Sequence, residues 1–163
     1  MTAFFMSLKS KIGKSLDFNH NIIFKDESMK PFGVDPELEK NSFLIAELEL
    51  SQLYLKNDKD NPWFVLIPRK VDLIELVDLT HEEQCMLMEE VSVVSEFLKK
   101  FYRPSKINVG ALGNIVRQLH LHVIARFESD RAWPHALWGT TPEYFFEDVE
   151  LENIKSNFQE FIE

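Results

Sequence analysis

Residues 118–124 read Gln118-Leu119-His120-Leu121-His122-Val123-Ile124, and this alternation constrains the fold more than any other stretch. Side chains in a strand point to opposite faces with a period of two. A strand here puts Gln118, His120 and His122 on one face and Leu119, Leu121 and Val123 on the other. The apolar row needs a core beneath it, and the opposite face then presents a line of nitrogen and oxygen groups. Two of the five histidines of the chain fall in this run.

The surroundings fit such a strand. A chain of 163 residues can form one domain with a sizeable core, and its 45% hydrophobic content, with 14 Phe, is that of a globular protein. Phe43–Ala46 and Leu50–Leu55 are short β-prone runs, the Asn57–Pro62 stretch is a turn by composition, and Trp63–Ile67 is a continuous apolar run closed by Pro68. Strands this close in sequence form an antiparallel meander most economically. Thr80 and Glu83 make a capping box, and Leu87, Val91, Val94, Leu98 and Phe101 then recur on one helical face up to Pro104. On that helix Met86 and Met88 read as packing residues, Cys85 as a buried inert thiol and His81 as solvated. Ile107–Leu112 is a further strand, the Gly110–Asn114 stretch a tight glycine-containing connection, and Gln118–Phe127 the histidine strand. Residues 128–142 form a loop in which Trp133 and Trp138 are expected to cover something. The tail from Tyr144 reads as a helix, with Leu151, Ile154, Phe158 and Phe161 spaced to pack. Three segments result: an extension of uncertain structure over 1–31, a domain over 32–142 and a helical tail over 143–163.

Charge and cysteine content exclude several classes. A net charge of −9 argues against binding to nucleic-acid polymers or anionic membranes. Between Lys99 and Arg131, however, seven basic residues stand against two acidic ones. A local positive field around the histidines fits a small anionic ligand. One cysteine allows no internal disulfide, and no apolar run reaches the length of a membrane span. With no signal-peptide pattern at the start, the expected location is the cytoplasm.

The histidine row itself admits three readings. It can be a satisfied structural pair. It can be half of a metal site, since His-x-His on a strand suits two imidazole ligands; His20, His81 and His135 then come from unrelated segments, no Cys, Asp or Glu stands at a ligand spacing, and no metal is expected. Or it can do nucleophilic chemistry on phosphorus. A neutral imidazole is a competent nucleophile near pH 7 and forms a covalent phosphoramidate, while a second imidazole stabilises charge on the non-bridging oxygens.

The stretch from Gly113 to Arg126 resembles the histidine triad motif, in which histidines alternate with apolar residues after a Gly-Gln-Ser/Thr-Val lead-in. The Trp63–Arg69 run resembles the family's strand ending in Ile-Pro-Lys/Arg, and Leu79-Thr80 opens the long helix as the family does. The loop from Asp130 to Gly139 is similar to that of a bacterial subgroup, resembling diadenosine tetraphosphate hydrolase-like proteins, whose motif begins with Gln. The resemblance implies an α+β fold, an antiparallel meander of about five strands with one long helix packed on it, and a homodimer. It implies a nucleotide-binding hydrolase or transferase acting on phosphoanhydrides, phosphoramidates or dinucleoside polyphosphates, without a cofactor. It gives His120 the role of nucleophile and His122 that of a phosphate-oxygen contact. Asn57 or Asp58 falls at the ribose position, Asn108 at a polar phosphate-side position, and Gly113 and Asn114 in the lead-in. Gln118 stands where the first triad histidine would be; its carbonyl can still accept from Nδ1–H of His120. Ile115 replaces a common hydroxyl, and Trp63 stands near a histidine that many members carry. A nucleotide-binding module without turnover and a metal-dependent hydrolase are the competing functions.

Overall fold

A computed structural model describes residues 31–163. Residues 1–30, and the extension expected over them, lie outside the described residues. The elements are a short helix α1 (Pro36–Glu39), strands β1 (Ser42–Glu47), β2 (Ser51–Lys56) and β3 (Trp63–Pro68), a 3-10 turn at Leu76–Asp78, helix α2 (His81–Tyr102), strands β4 (Lys106–Gly110) and β5 (Leu121–Arg126), and helix α3 (Asp148–Ile162). The sheet order is β1-β2-β3-β5-β4, antiparallel throughout. The first three strands make the meander. The chain then crosses by α2, returns as the edge strand β4, and inserts β5 between β4 and β3. The histidine strand is therefore interior, hydrogen-bonded on both sides, and all six of its residues are buried.

The two faces of the sheet are covered differently. Phe64, Leu66, Leu121, Val123 and Ala125 point toward α2 and α3 and form the main core with Leu87, Val91, Val94, Phe97 and Leu98. The tail beyond 143 supplies Leu151, Ile154 and Phe158 to that same core; the Phe158 ring lies 5.0 Å from Phe97 and 6.3 Å from Phe64. On the opposite face Tyr54, Trp63, Val65, Ile67 and Ile124 pack with Leu137, Trp138 and Leu38. Loops rather than long helices cover this second face, which leaves room for a cleft.

Helix α2 starts as its capping box predicts: Glu83 N donates to Thr80 Oγ1 at 3.3 Å, and Thr80 N donates to Glu83 Oε2 at 2.8 Å. It ends at Arg103, in the left-handed conformation, ahead of Pro104. Three expectations on this helix are corrected. Cys85 is exposed, because it lies about 200° round the helix from Leu87. Met88 is 50% exposed, and Phe101, at 41%, sits at the rim over Phe97. Phe97 takes the interior position instead. Glu90 is also buried and accepts from Leu50 N at 2.7 Å and Ser51 N at 3.1 Å, so a helix carboxylate closes the β1–β2 turn. Burial pushes this carboxyl upward, against the pull of those hydrogen bonds.

Candidate active site

The site forms where β5 begins. The strand was expected from Gln118, but it starts at Leu121. The reason lies in the partners of the preceding residues. Leu119 N donates to Leu73 O at 2.9 Å, outside the ladder. The Gln118 side chain reaches the segment ahead of α1, donating to Gly33 O at 2.9 Å and accepting from Asp35 N at 2.8 Å. The alternation of faces survives: Leu119, Leu121 and Val123 enter the main core, while His120 and His122 open on the other side.

The two imidazoles sit 4.9 Å apart between ring centroids, nearly perpendicular, each 7% exposed. His120 Nδ1 lies 2.7 Å from Gln118 O. A carbonyl oxygen can only accept, so Nδ1 carries a proton, and in the neutral ring Nε2 keeps its lone pair. His122 Nδ1 lies 2.9 Å from the indole Nε1 of Trp63. Burial, and then the positive potential of His120 and Lys56, push the His122 pKa down to about 3.

Aromatic rings and one cation enclose the pair. Trp63 opens β3 opposite Ile124, and the Lys56 ammonium lies 4.6 Å from its ring centroid. The Trp138 ring stands edge-on to both His122, at 5.7 Å, and Trp63, at 5.6 Å. Gly110, opposite His122 on β4, lies directly beneath this ring: a Cβ there would touch Trp138 at 3.4 Å. Of the two loop tryptophans, Trp138 thus covers the histidines, and Trp133 lies over the Arg126 guanidinium at 5.8 Å.

His120 and His122 open into a cleft of about 700 Å³, within the range of small-molecule sites. Asn57, Asp58, Gly113 and Asn114 line it, as do Lys56 and the α1 residues Glu37 and Leu38. A smaller cavity of about 450 Å³ shares His120, Gly113 and Asn114 with it and adds Gln118 and Arg117. Gly113 has a φ of 64°, which lets the loop turn tightly beside the histidines. Asn57 Oδ1 accepts from Phe146 N at 2.9 Å. Asp58 is 4% exposed, and Arg131 donates to both of its oxygens, at 3.1 and 2.5 Å.

Asn108 is not brought to the cleft. It pairs with Ile124, two residues beyond His122, and its side-chain oxygen accepts from Arg126 at 2.5 Å. Part of the expected positive field is consumed inside the protein. Arg126, 2% exposed, donates to Asp130, Asn108 and the carbonyl of His135. Arg131 is spent on Asp58 and Asp60. The cation that does line the cleft is Lys56, which sequence reasoning missed. The register that places Leu55 opposite Phe64 puts Lys56 beside Trp63, and the meander alone could have shown it. Among the described residues no group of three or more His, Cys, Asp or Glu is placed to hold a metal ion, and no helix is long and apolar enough to cross a membrane.

An open antiparallel sheet backed by two helices, with a histidine pair beneath an aromatic-walled cleft, defines a small α+β protein that opens two imidazoles into a cleft. The HIT domain model matches residues 37–129, and the chain belongs to that histidine triad family. Three solved structures share the fold over most of the chain. A histidine triad protein of Bradyrhizobium japonicum is 36% identical, with a TM-score of 0.77, over 82% of this chain and 100% of its own. One of Sinorhizobium meliloti is 42% identical, with a TM-score of 0.75, over 79% of this chain and 96% of its own. One of Marinobacter aquaeolei is 34% identical, with a TM-score of 0.76, over 82% of this chain and 97% of its own. Comparison with the curated proteins gives no match. Membership supports a nucleotide-binding hydrolase or transferase in general.

Proposed function

We propose that this protein cleaves a phosphoanhydride or phosphoramidate at the α-phosphorus of a nucleotide, through a nucleotidyl-His120 intermediate. The observation that carries the reading is the 2.7 Å contact of His120 Nδ1 with Gln118 O, which leaves a lone pair on Nε2 of a ring that lines the cleft. That lone pair forms a P–N bond while the bond from phosphorus to the leaving group breaks, and the leaving group takes the electron pair. An amine leaving group also takes a proton from solvent. Water then attacks the same phosphorus, the P–N pair returns to Nε2, and the water's proton passes to solvent as the mononucleotide leaves. A transferase replaces that water with another hydroxyl or phosphate oxygen.

His122 supports the charge on the non-bridging oxygens. Gln118 positions His120 through its carbonyl. Asn57 or Asp58 is assigned to the ribose side and Gly113 and Asn114 to the phosphate side; Asn108 has no part, because it does not line the cleft and its side-chain oxygen is turned to Arg126. The reading includes a cytoplasmic homodimer, supported by the lone cysteine and by the β4 edge of the sheet, where Val109 is 44% exposed.

One observation favours a second reading. The Gln118 amide, which stands in the first triad position, is committed to Gly33 and Asp35 and cannot titrate. A nucleotide-binding module without turnover is compatible with that change. Wild type and His120→Ala are compared on a panel of nucleoside phosphoramidates and diadenosine polyphosphates. Turnover by wild type, lost in the variant, is the expected result. Full activity in the variant removes the nucleophile assignment, and calorimetric binding of a mononucleotide with no turnover of any panel member selects the second reading.

A further inference from the structure

We propose that Trp63 is a positioning residue that locks His122 as a neutral imidazole with its proton on Nε2. The argument rests on what each group can do. An indole N–H donates and never accepts. Its 2.9 Å contact therefore forces His122 Nδ1 to accept. A neutral ring with a bare Nδ1 carries its hydrogen on Nε2, and protonating Nδ1 would break the only hydrogen bond the ring makes among the described residues. Trp63 is itself held: it is 4% exposed, lies in β3 opposite Ile124, has the Lys56 ammonium 4.6 Å from its ring centroid and Trp138 packed edge-on against it. The donor cannot swing away from the ring it holds.

The result is two neighbouring imidazoles with opposite tautomers. Gln118 O puts the proton of His120 on Nδ1, and Trp63 Nε1 puts that of His122 on Nε2. One ring offers a lone pair and the other, 4.9 Å away, an N–H. The titratable groups acting on His122 are His120 and Lys56, both of which oppose a positive charge on it; Trp63 and Trp138, the other rings against it, do not titrate in this range. His122 is thus a fixed donor, unable to gain or pass on a proton during turnover. That consequence for turnover rests on the function proposed above; the tautomer does not.

Nitrogen NMR of the ¹⁵N-histidine-labelled full chain tests the lock without any substrate, with the His122 signals identified by their loss in His122→Asn. Between about pH 5 and 8, the expected spectrum shows a bare Nδ1, a protonated Nε2 and no titration. An Nδ1-protonated ring, or an ordinary histidine titration, overturns the proposal. In Trp63→Phe the ring shape is kept and the donor is lost, so the His122 signals shift to a mixture of tautomers or begin to titrate; unmoved signals overturn the proposal equally. Should the variant fail to fold, the wild-type spectrum alone decides. On whichever panel substrate wild type turns over, removing a transition-state donor outright costs about 100-fold in kcat. Trp63→Phe only randomises the donor and lowers kcat about 10-fold with KM little changed, and Trp63→His, which can donate again, recovers part of that loss. If no substrate is turned over, the function proposal fails while the NMR result stands by itself.

Discussion

His122 is held in a setting that opposes its protonation, and this has a consequence for stability as well as for chemistry. In the unfolded chain its pKa is about 6.5; in the folded protein burial and the positive neighbours push it down to about 3. Below pH 6.5 the unfolded state binds a proton that the folded state refuses. The stability due to this ring is therefore fully present above about pH 6.5 and is lost as the pH falls toward 3. His122→Gln, which cannot titrate, is expected to flatten that acid limb in urea-denaturation midpoints measured from about pH 7 to 4. At the scale of single residues the sequence was a good guide to direction and a poor one to partners. Alternation placed His120 and His122 on one face, since the period of a strand survives even where the ladder has not begun. It could not show that Gln118 spends its amide on Gly33 and Asp35, or that Asn108 turns to Arg126. Such contacts join segments distant in sequence and depend on register.

At the scale of elements, the turn between β1 and β2 depends on a helix. Glu90 Oε1 accepts from two consecutive backbone N–H groups, those of Leu50 and Ser51. Glu90→Ala leaves both buried donors without their acceptor and is expected to cost about 1–3 kcal/mol in urea unfolding. Glu90→Gln keeps an acceptor oxygen and loses little; because burial raises the native carboxyl, its deficit narrows as the pH rises and the native carboxylate becomes charged. The helix was readable from its capping box and from the spacing of Leu87, Val91, Val94 and Leu98, which are local properties. The core positions of Phe97 and Glu90, and the exposure of Cys85, were not. They are set by where the sheet and α3 lie against the helix. Likewise the first three strands were readable as a meander, whereas the insertion of β5 between β3 and β4 follows from the crossover through α2.

At the scale of the whole molecule, a buried polar network ties the two loops that frame the cleft. Arg131 joins Asp58 and Asp60; Asn61 reaches the carbonyl of Ala125 and Asp130; Asp130 accepts from Arg126, which also donates to Asn108. Burial alone would raise the Asp130 carboxyl, but Arg126 and the N–H groups of Ala132 and Phe127 outweigh it and bring it to about 2. Its contribution to stability is present above the ordinary aspartate pKa and is lost as the pH falls toward 2. Arg126→Ala leaves that carboxylate buried without its cation and is expected to cost about 3–5 kcal/mol, read as a fall in thermal and urea midpoints. The basic window was visible in the sequence as an excess of charge, yet charge counting does not reveal which cations are already neutralised inside a fold.

The grip of Gln118 on Gly33 and Asp35 ties the beginning of the described chain to a residue two positions from His120. Glu37 and Leu38, just beyond the gripped segment, form part of the cleft wall. For anyone shortening or tagging this protein, an edit near residues 31–39 is therefore an edit to the histidine cleft, and a truncation chosen for convenience belongs beside the point mutants in the kinetic comparison.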